Sequence, residues 1–186
     1  MTIANGLSVL RIALAPVLVA LAWEGALHAF TAGLALALVT DIADGKIARA
    51  LGQTSPRGAQ LDSWGDLLLY VTVPIAAVWL RPELVRSERA WFAVAVASAF
   101  VPVGIGLIRF RRPTSYHTRA TKVAAYLLGG AALAAFAAAW VWPFRVATLV
   151  FVAAQIEEIA ITLTLPAWYA DVRSLADARA IRRGPR

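Results

Sequence analysis

Residues 41–66 read DIADGKIARALGQTSPRGAQLDSWGD, and the reading of the whole chain turns on them. Asp41, Asp44, Asp62 and Asp66 are four of only 11 acidic residues in 186. The first two are spaced i, i+3 and the last two i, i+4, which puts both members of each pair on one face of a helix. Gly45, Ala48, Arg49 and Gly58 lie between the pairs, and Ser55 and Pro56 mark a turn. The expectation is a helix end, a short loop and a helix start, with two carboxylate pairs facing each other. Four clustered carboxylates repel unless a cation lies among them, and hard oxygen ligands suit Mg²⁺, Mn²⁺ or Ca²⁺. Two capping aspartates and two solvated ones would leave the spacing unexplained.

Outward from this stretch the chain is apolar. It is 60% hydrophobic and 16% charged, with a mean hydropathy of +0.68. A soluble domain carries more charge than this. Apolar segments near the length that crosses a bilayer as a helix fall at about 7–23, 26–42, 62–80, 91–108, 123–141 and 144–165. Several have no polar face, which argues against an Ala-rich soluble bundle. The fold class expected is an all-α membrane protein, a bundle of six transmembrane helices. Residues 1–167 form the transmembrane domain and 168–186 a basic tail lying at the interface or in the cytoplasm. In that tail Val172, Leu175, Ala176 and Arg179 recur at helical intervals. Residues 81–90 read as a polar loop, and Pro74 is expected to kink the third span. The first apolar run follows no basic stretch and reads as a mature span.

No cysteine is present, so neither disulfides nor thiol chemistry enter. The net charge of +7 points to anionic lipid headgroups and to orientation, and away from nucleic acid. Lys46, Arg49, Arg57, Arg109, Arg111, Arg112, Arg119, Lys122 and the five arginines of the tail would share one side of the bilayer. Arg81, Arg86, Arg89 and Arg145 would share the other. The positive-inside rule then places both termini and all four aspartates at the cytoplasmic face of the cell (inner) membrane.

The spacing Asp-x2-Asp-Gly-x2-Ala-Arg-x8-Gly-x3-Asp-x3-Asp resembles the signature of the CDP-alcohol phosphotransferases, class I. All eight fixed positions are present: Asp41, Asp44, Gly45, Ala48, Arg49, Gly58, Asp62 and Asp66. The opening Asn5, Leu7, Ser8, Arg11 and Pro16 is similar to the start of the same family. The resemblance implies transfer of a phosphatidyl group from CDP-diacylglycerol to an alcohol, with release of CMP, in phospholipid synthesis. It implies Mg²⁺ or Mn²⁺, two ions, held by Asp41, Asp44 and Asp62, with Asp66 touching the second ion and acting as base. Gly45, Ala48, Arg49 and Gly58 would shape the cytidine diphosphate pocket. It also implies a homodimer.

Outside the motif the residues allow more than one reading. Arg11 either snorkels to the interface or aims its cation at phosphate. Arg109, Arg111, Arg112, Arg119 and Lys122, with His117 nearby, either hold an acceptor's phosphate or bind anionic lipid as a positive-inside loop. Glycerol 3-phosphate and inositol phosphate are candidate acceptors. The run YHTRATK departs from the Gly-Lys-x-Lys-Thr of phosphatidylglycerophosphate synthases, which weighs against the first. Glu157 and Glu158 lie within the sixth span, and intramembrane acids are functional candidates, one of them facing the bundle interior. A cation channel would carry its carboxylates near midspan rather than at the ends of spans.

Overall fold

In the computed structural model, residues 3–50, 56–112, 114, 116, 118–169 and 172–183 are described, and among them the chain is helical without strands. The eight helices are α1 (Ile3–Trp23), α2 (Leu27–Ala50), α3 (Pro56–Leu80), α4 (Pro82–Ser87), α5 (Arg89–Phe110), α6 (Arg119–Ala138), α7 (Trp142–Thr164) and α8 (Leu175–Arg183). Four of them, α1, α5, α6 and α7, are long and apolar enough to cross a membrane. Helices α2 and α3 carry shorter apolar stretches, Leu27–Ala43 and Trp64–Leu80. The reason is local: each continues at one end into the charged motif. The helices therefore run further than the sequence suggests. Asp41 and Asp44 lie within α2, which continues to Ala50, and α3 starts at Pro56, so that Asp62 lies inside it. Pro56 suits that start, because its missing N–H would have had no intrahelical partner. Residues 81–90, expected as a loop, contain α4.

The chain divides into two compact units, residues 1–88 with 132–140, and 89–131 with 141–186. In the first, α1 packs along both α2 and α3. Its seam is small and apolar: Ala15, Leu18 and Ala22 of α1 and Phe30, Leu34 and Ala37 of α2 are all buried. A Cβ at Gly33 would come within 2.8 Å of the Leu18 side chain, so the glycine sets how closely α1 and α2 approach. Gly25, at φ +73°, ends α1. The N–H of Ala26 reaches the Leu21 carbonyl and that of Gly25 the Ala22 carbonyl, the paired bonds of a Schellman turn. Phe136 stacks at 4.8 Å on Phe30, and its carbonyl accepts hydrogen bonds from the Arg81 guanidinium.

In the second unit α7 supplies a continuous buried stripe: Phe144, Ala147, Thr148, Phe151, Ala154, Gln155, Glu158, Ile161 and Thr162. This is the i, i+3, i+4 pattern of one helix face. Thr148 and Thr162 donate to carbonyls four residues back, so their buried hydroxyls are satisfied within the helix. Phe92 of α5 packs on Phe144 at 4.7 Å. Helix α8 and the residues before it turn apolar side chains toward the neighbouring core. Val172 and Ala178 are buried with Tyr116, Ile161 and Leu165, and Leu175 and Ile181 pack against them. Ala176 and Arg179, which recur with Val172 and Leu175 at helical intervals, are exposed.

Candidate active site

The motif lies in the first unit, on α2 and α3. On α2, Asp41, Asp44, Gly45 and Ala48 fall at i, i+3, i+4 and i+7, one stripe of the helix, with Arg49 next to it. On α3, Gly58, Asp62 and Asp66 fall at intervals of four. The side chains of Asp44, Lys46, Ala48, Arg49 and Asp62, and the surroundings of Gly45, lie outside what is described. Those of Asp41 and Asp66 are described, and one residue joins them.

That residue is Arg11 of α1. Its Nη1 lies 2.6 Å from Oδ1 of Asp41 and donates to Oδ1 of Asp66 at 3.1 Å. The side chain is fully buried, whereas those of Asp41 and Asp66 are 19% and 47% exposed. Snorkelling is thereby overturned: the guanidinium turns inward, because two carboxylates on neighbouring helices offer it more than the interface does. Nor is it aimed away from the protein toward a phosphate. The two carboxylate oxygens, 25 residues apart in sequence, converge on a single positively charged nitrogen. Carboxylate oxygens are hard donors of the kind divalent ions take; among the described residues no three acidic or histidine side chains gather into one group, and the side chains of Asp44 and Asp62, the other two members of the set, lie outside them. Gly65 permits the arrangement, since a Cβ there would stand 3.2 Å from Cδ of Arg11. The sequence reading missed Gly65. Its signal is a glycine inside an apolar helix one turn beyond Asp62, a mark of close approach.

The basic residues belong to the second unit. Arg109 donates through Nη2 to the Leu165 carbonyl at 3.2 Å, which caps α7. Arg112 stacks over Trp168 at 5.2 Å. Arg111, Arg119 and Lys122 are exposed. His117 lies outside the described residues. The segment leading to α6 folds back on α5 at Gly106, where a Cβ would come within 2.7 Å of the Thr114 methyl. Thr118 then caps α6, accepting from the N–H of Thr121 at 3.0 Å.

Of the two intramembrane acids, Glu158 is the buried one, at 7% exposure, and Glu157 is half-buried. Beside Glu158 lie Thr114 and Tyr116, which sequence reading passed over. The Thr114 hydroxyl lies beside the Glu158 carboxylate, short of good hydrogen-bond geometry, and Tyr116 Oη is buried without a hydrogen-bond partner. Burial raises the Tyr116 phenol above its ordinary pKa; the charge of Glu158 adds to this, while the Thr162 hydroxyl, short of good hydrogen-bond geometry, and Arg109 oppose it.

The chain matches, over residues 1–171, the family described as CDP-alcohol phosphatidyltransferase. Proteins of Mycobacterium tuberculosis and Mycobacterium bovis, provisionally named cardiolipin synthase, are 47% identical over 78 residues, 40% of this chain and 36% of theirs. A Pseudomonas fluorescens protein named CDP-diacylglycerol–glycerol-3-phosphate 3-phosphatidyltransferase is 32% identical over 111 residues, 50% of this chain and 57% of its own. The matched stretches thus span between about a third and somewhat over half of these relatives. No solved structure matches the chain. With the complete eight-position motif on α2 and α3 and a family match over nearly its whole length, this chain belongs to the CDP-alcohol phosphatidyltransferase family.

Proposed function

We propose that this protein is a multi-pass membrane enzyme of phospholipid synthesis. It transfers a phosphatidyl group from CDP-diacylglycerol to an alcohol acceptor and releases CMP. The observation that carries this reading is the convergence of Asp41 and Asp66, from two helices, on one buried cationic nitrogen. The family membership and the names of the relatives support the donor and the reaction type.

Asp41, Asp44, Asp62 and Asp66 would hold Mg²⁺ or Mn²⁺, two ions. Bound there, the metal neutralises the diphosphate of the donor and stabilises the departing phosphate. The chain's own residues do the rest. Gly45, Ala48, Arg49 and Gly58 admit and orient the cytidine diphosphate; glycine allows close backbone approach, and arginine forks onto phosphate oxygens. The Asp66 carboxylate, the more exposed of the two described, takes the proton of the acceptor hydroxyl as its oxygen attacks the lipid-side phosphorus. The bond to the CMP oxygen breaks, and CMP leaves. Arg109, Arg111, Arg112, Arg119 and Lys122 are the candidates for an acceptor's phosphate. Arg109 and Arg112 already hold protein groups, so Arg111, Arg119 and Lys122 carry more of that reading.

In the bilayer, α1, α2, α3, α5, α6 and α7 would make six spans in residues 1–167. Both termini and the aspartates lie on the cytoplasmic side of the inner membrane, and 168–186 form the tail. The working unit is a homodimer. The test is CMP release by purified protein given CDP-diacylglycerol with glycerol 3-phosphate, inositol phosphate or phosphatidylglycerol in turn. Release with at least one acceptor, lost in excess chelator and restored by Mg²⁺ or Mn²⁺, is the expected result. No release with any acceptor refutes the transfer reaction, and undiminished release in chelator refutes the metal.

A further inference from the structure

Arg11 lies outside the eight-position motif, yet it touches both ends of it. Its Nη1 is shared by the first aspartate, on α2, and the last, on α3. Nothing in the transfer reaction requires a buried guanidinium at that point, and burying one is costly unless its partners are fixed. Arginine keeps its charge even when buried, whereas a buried lysine shifts its pKa readily, and both described contacts to the carboxylates run through Nη1.

We propose that Arg11 is a positioning residue for the metal: it ties Asp41 and Asp66 together before any ion arrives and remains with them when the ion binds. This rests on the reading of the aspartates as a metal site. Three observations support the permanence of the tie. The side chain is fully buried. It is enclosed by α1 and α3, with Gly65 against its Cδ and Nη1. And α1 packs along both aspartate-bearing helices, so Arg11 cannot leave without repacking that unit. A cation that merely filled the metal's place would need a way out, and this one has none. What Arg11 supplies is the outer hydrogen bond that orients a ligating carboxylate, and loss of such partners typically lowers metal affinity about 10–100-fold.

The experiment is a Mn²⁺ titration of the detergent-purified protein, followed by the electron paramagnetic resonance signal of free Mn²⁺, so that turnover is not the readout. Wild type, Arg11→Gln, Arg11→Lys, Asp66→Asn and the double variant Arg11→Lys with Asp66→Asn are compared, each checked for helical content and elution as wild type. Arg11→Gln is expected to weaken Mn²⁺ binding by about 10–100-fold. Arg11→Lys, which keeps the charge and is the variant to rely on if the glutamine fails to fold, is expected to recover part of that loss. In the Asp66→Asn background the Arg11→Lys effect is expected to shrink, because one of the two carboxylates it positions is gone. A purely structural arginine would lower thermal stability and leave Mn²⁺ affinity and this coupling unchanged. Variants that bind Mn²⁺ as tightly as the wild type, or more tightly, overturn the proposal while the metal site stands. Wild-type protein that takes up no Mn²⁺ overturns the metal reading and the proposal together.

Discussion

A side-chain carbon at Gly65 would stand 3.2 Å from Cδ and 3.3 Å from Nη1 of Arg11. That approach lets α3 pass close to α1 with the guanidinium between them. Two effects oppose each other when Gly65 becomes alanine. Helix propensity favours the substitution by about 1 kcal/mol, and overpacking around a fixed side chain costs about 1–3 kcal/mol. Gly130 of α6 has open space where a Cβ would go, so only the first effect acts there. Gly130→Ala is expected to be neutral or stabilising by up to about 1 kcal/mol. Gly65→Ala is expected to fall below it by about 1–3 kcal/mol, and Gly65→Val further still. Thermal unfolding in detergent measures the difference; equal midpoints for the two alanine variants would show that Arg11 has room to yield.

The apolar segments, the motif and its two helices were all legible in the sequence, because helical periodicity and membrane length depend on composition along the chain. What composition does not carry is pairing across helices. Sequence alone leaves Arg11 between interface and phosphate, since its partners lie 30 and 55 positions away and only the packing of α1 on α2 and α3 brings them together. The same holds for Glu157 and Glu158: adjacent acids differ by about 100° around α7, and which of them faces inward depends on the face that the stripe from Phe144 to Thr162 buries. Polar sequence stays helical at Asp44 to Ala50 and at Pro82–Ser87, where its composition suggests a loop. In the tail, too, packing selects the residues that meet the neighbouring core: Ala178 and Ile181 pack there, and Ala176 is exposed.

Tyr116 carries a buried hydroxyl without a partner. Removing such a group leaves nothing unsatisfied behind, so Tyr116→Phe is expected to be neutral or stabilising by up to about 1 kcal/mol. Its phenol is held above the ordinary value, chiefly by burial. The folded state therefore holds this proton more tightly than the unfolded state does. The corresponding stability is present below the unfolded value of about 10 and is lost as pH rises through the folded value. The difference in 295 nm absorbance between wild type and Tyr116→Phe, followed from pH 8 to 12, isolates this tyrosine from the other three. Ionisation at or below pH 10 would contradict the environment described.

The orientation predicted from the basic loops can be tested directly, because the chain has no cysteine. Arg86 of α4 is 74% exposed and pairs with Glu83 across one turn, and Arg112 is also exposed. A cysteine at 86 should react with an impermeant reagent added to intact cells, and one at 112 only after the membrane is opened. The reverse pattern inverts the topology and places the aspartates on the outer face.

Asp41 and Asp66 share Arg11, but their surroundings differ. Asp41 is 19% exposed and lies 2.6 Å from the guanidinium nitrogen, whereas Asp66 is 47% exposed and stands at 3.1 Å. The more open carboxylate is the better placed to meet an incoming alcohol. Asp66→Asn is therefore expected to keep much of the metal and CDP-lipid binding and to lose turnover, because an amide nitrogen cannot accept the acceptor's proton. A loss of about 10²–10⁴-fold is the scale for removing general base help. Asp41→Asn is expected to weaken metal binding itself, since a ligand charge disappears from the more enclosed position. Buried ion pairs add a second contrast. Breaking the tighter pair leaves Arg11 with less compensation, so Asp41→Asn should also lose more stability than Asp66→Asn; removing one partner of a buried pair costs about 3–5 kcal/mol relative to the intact protein. Mn²⁺ titration, CMP release and thermal unfolding of both variants separate the three effects. If Asp66→Asn loses metal affinity as severely as Asp41→Asn, then Asp66 is chiefly a ligand. The acceptor's proton must in that case go to water or to the acceptor's own phosphate.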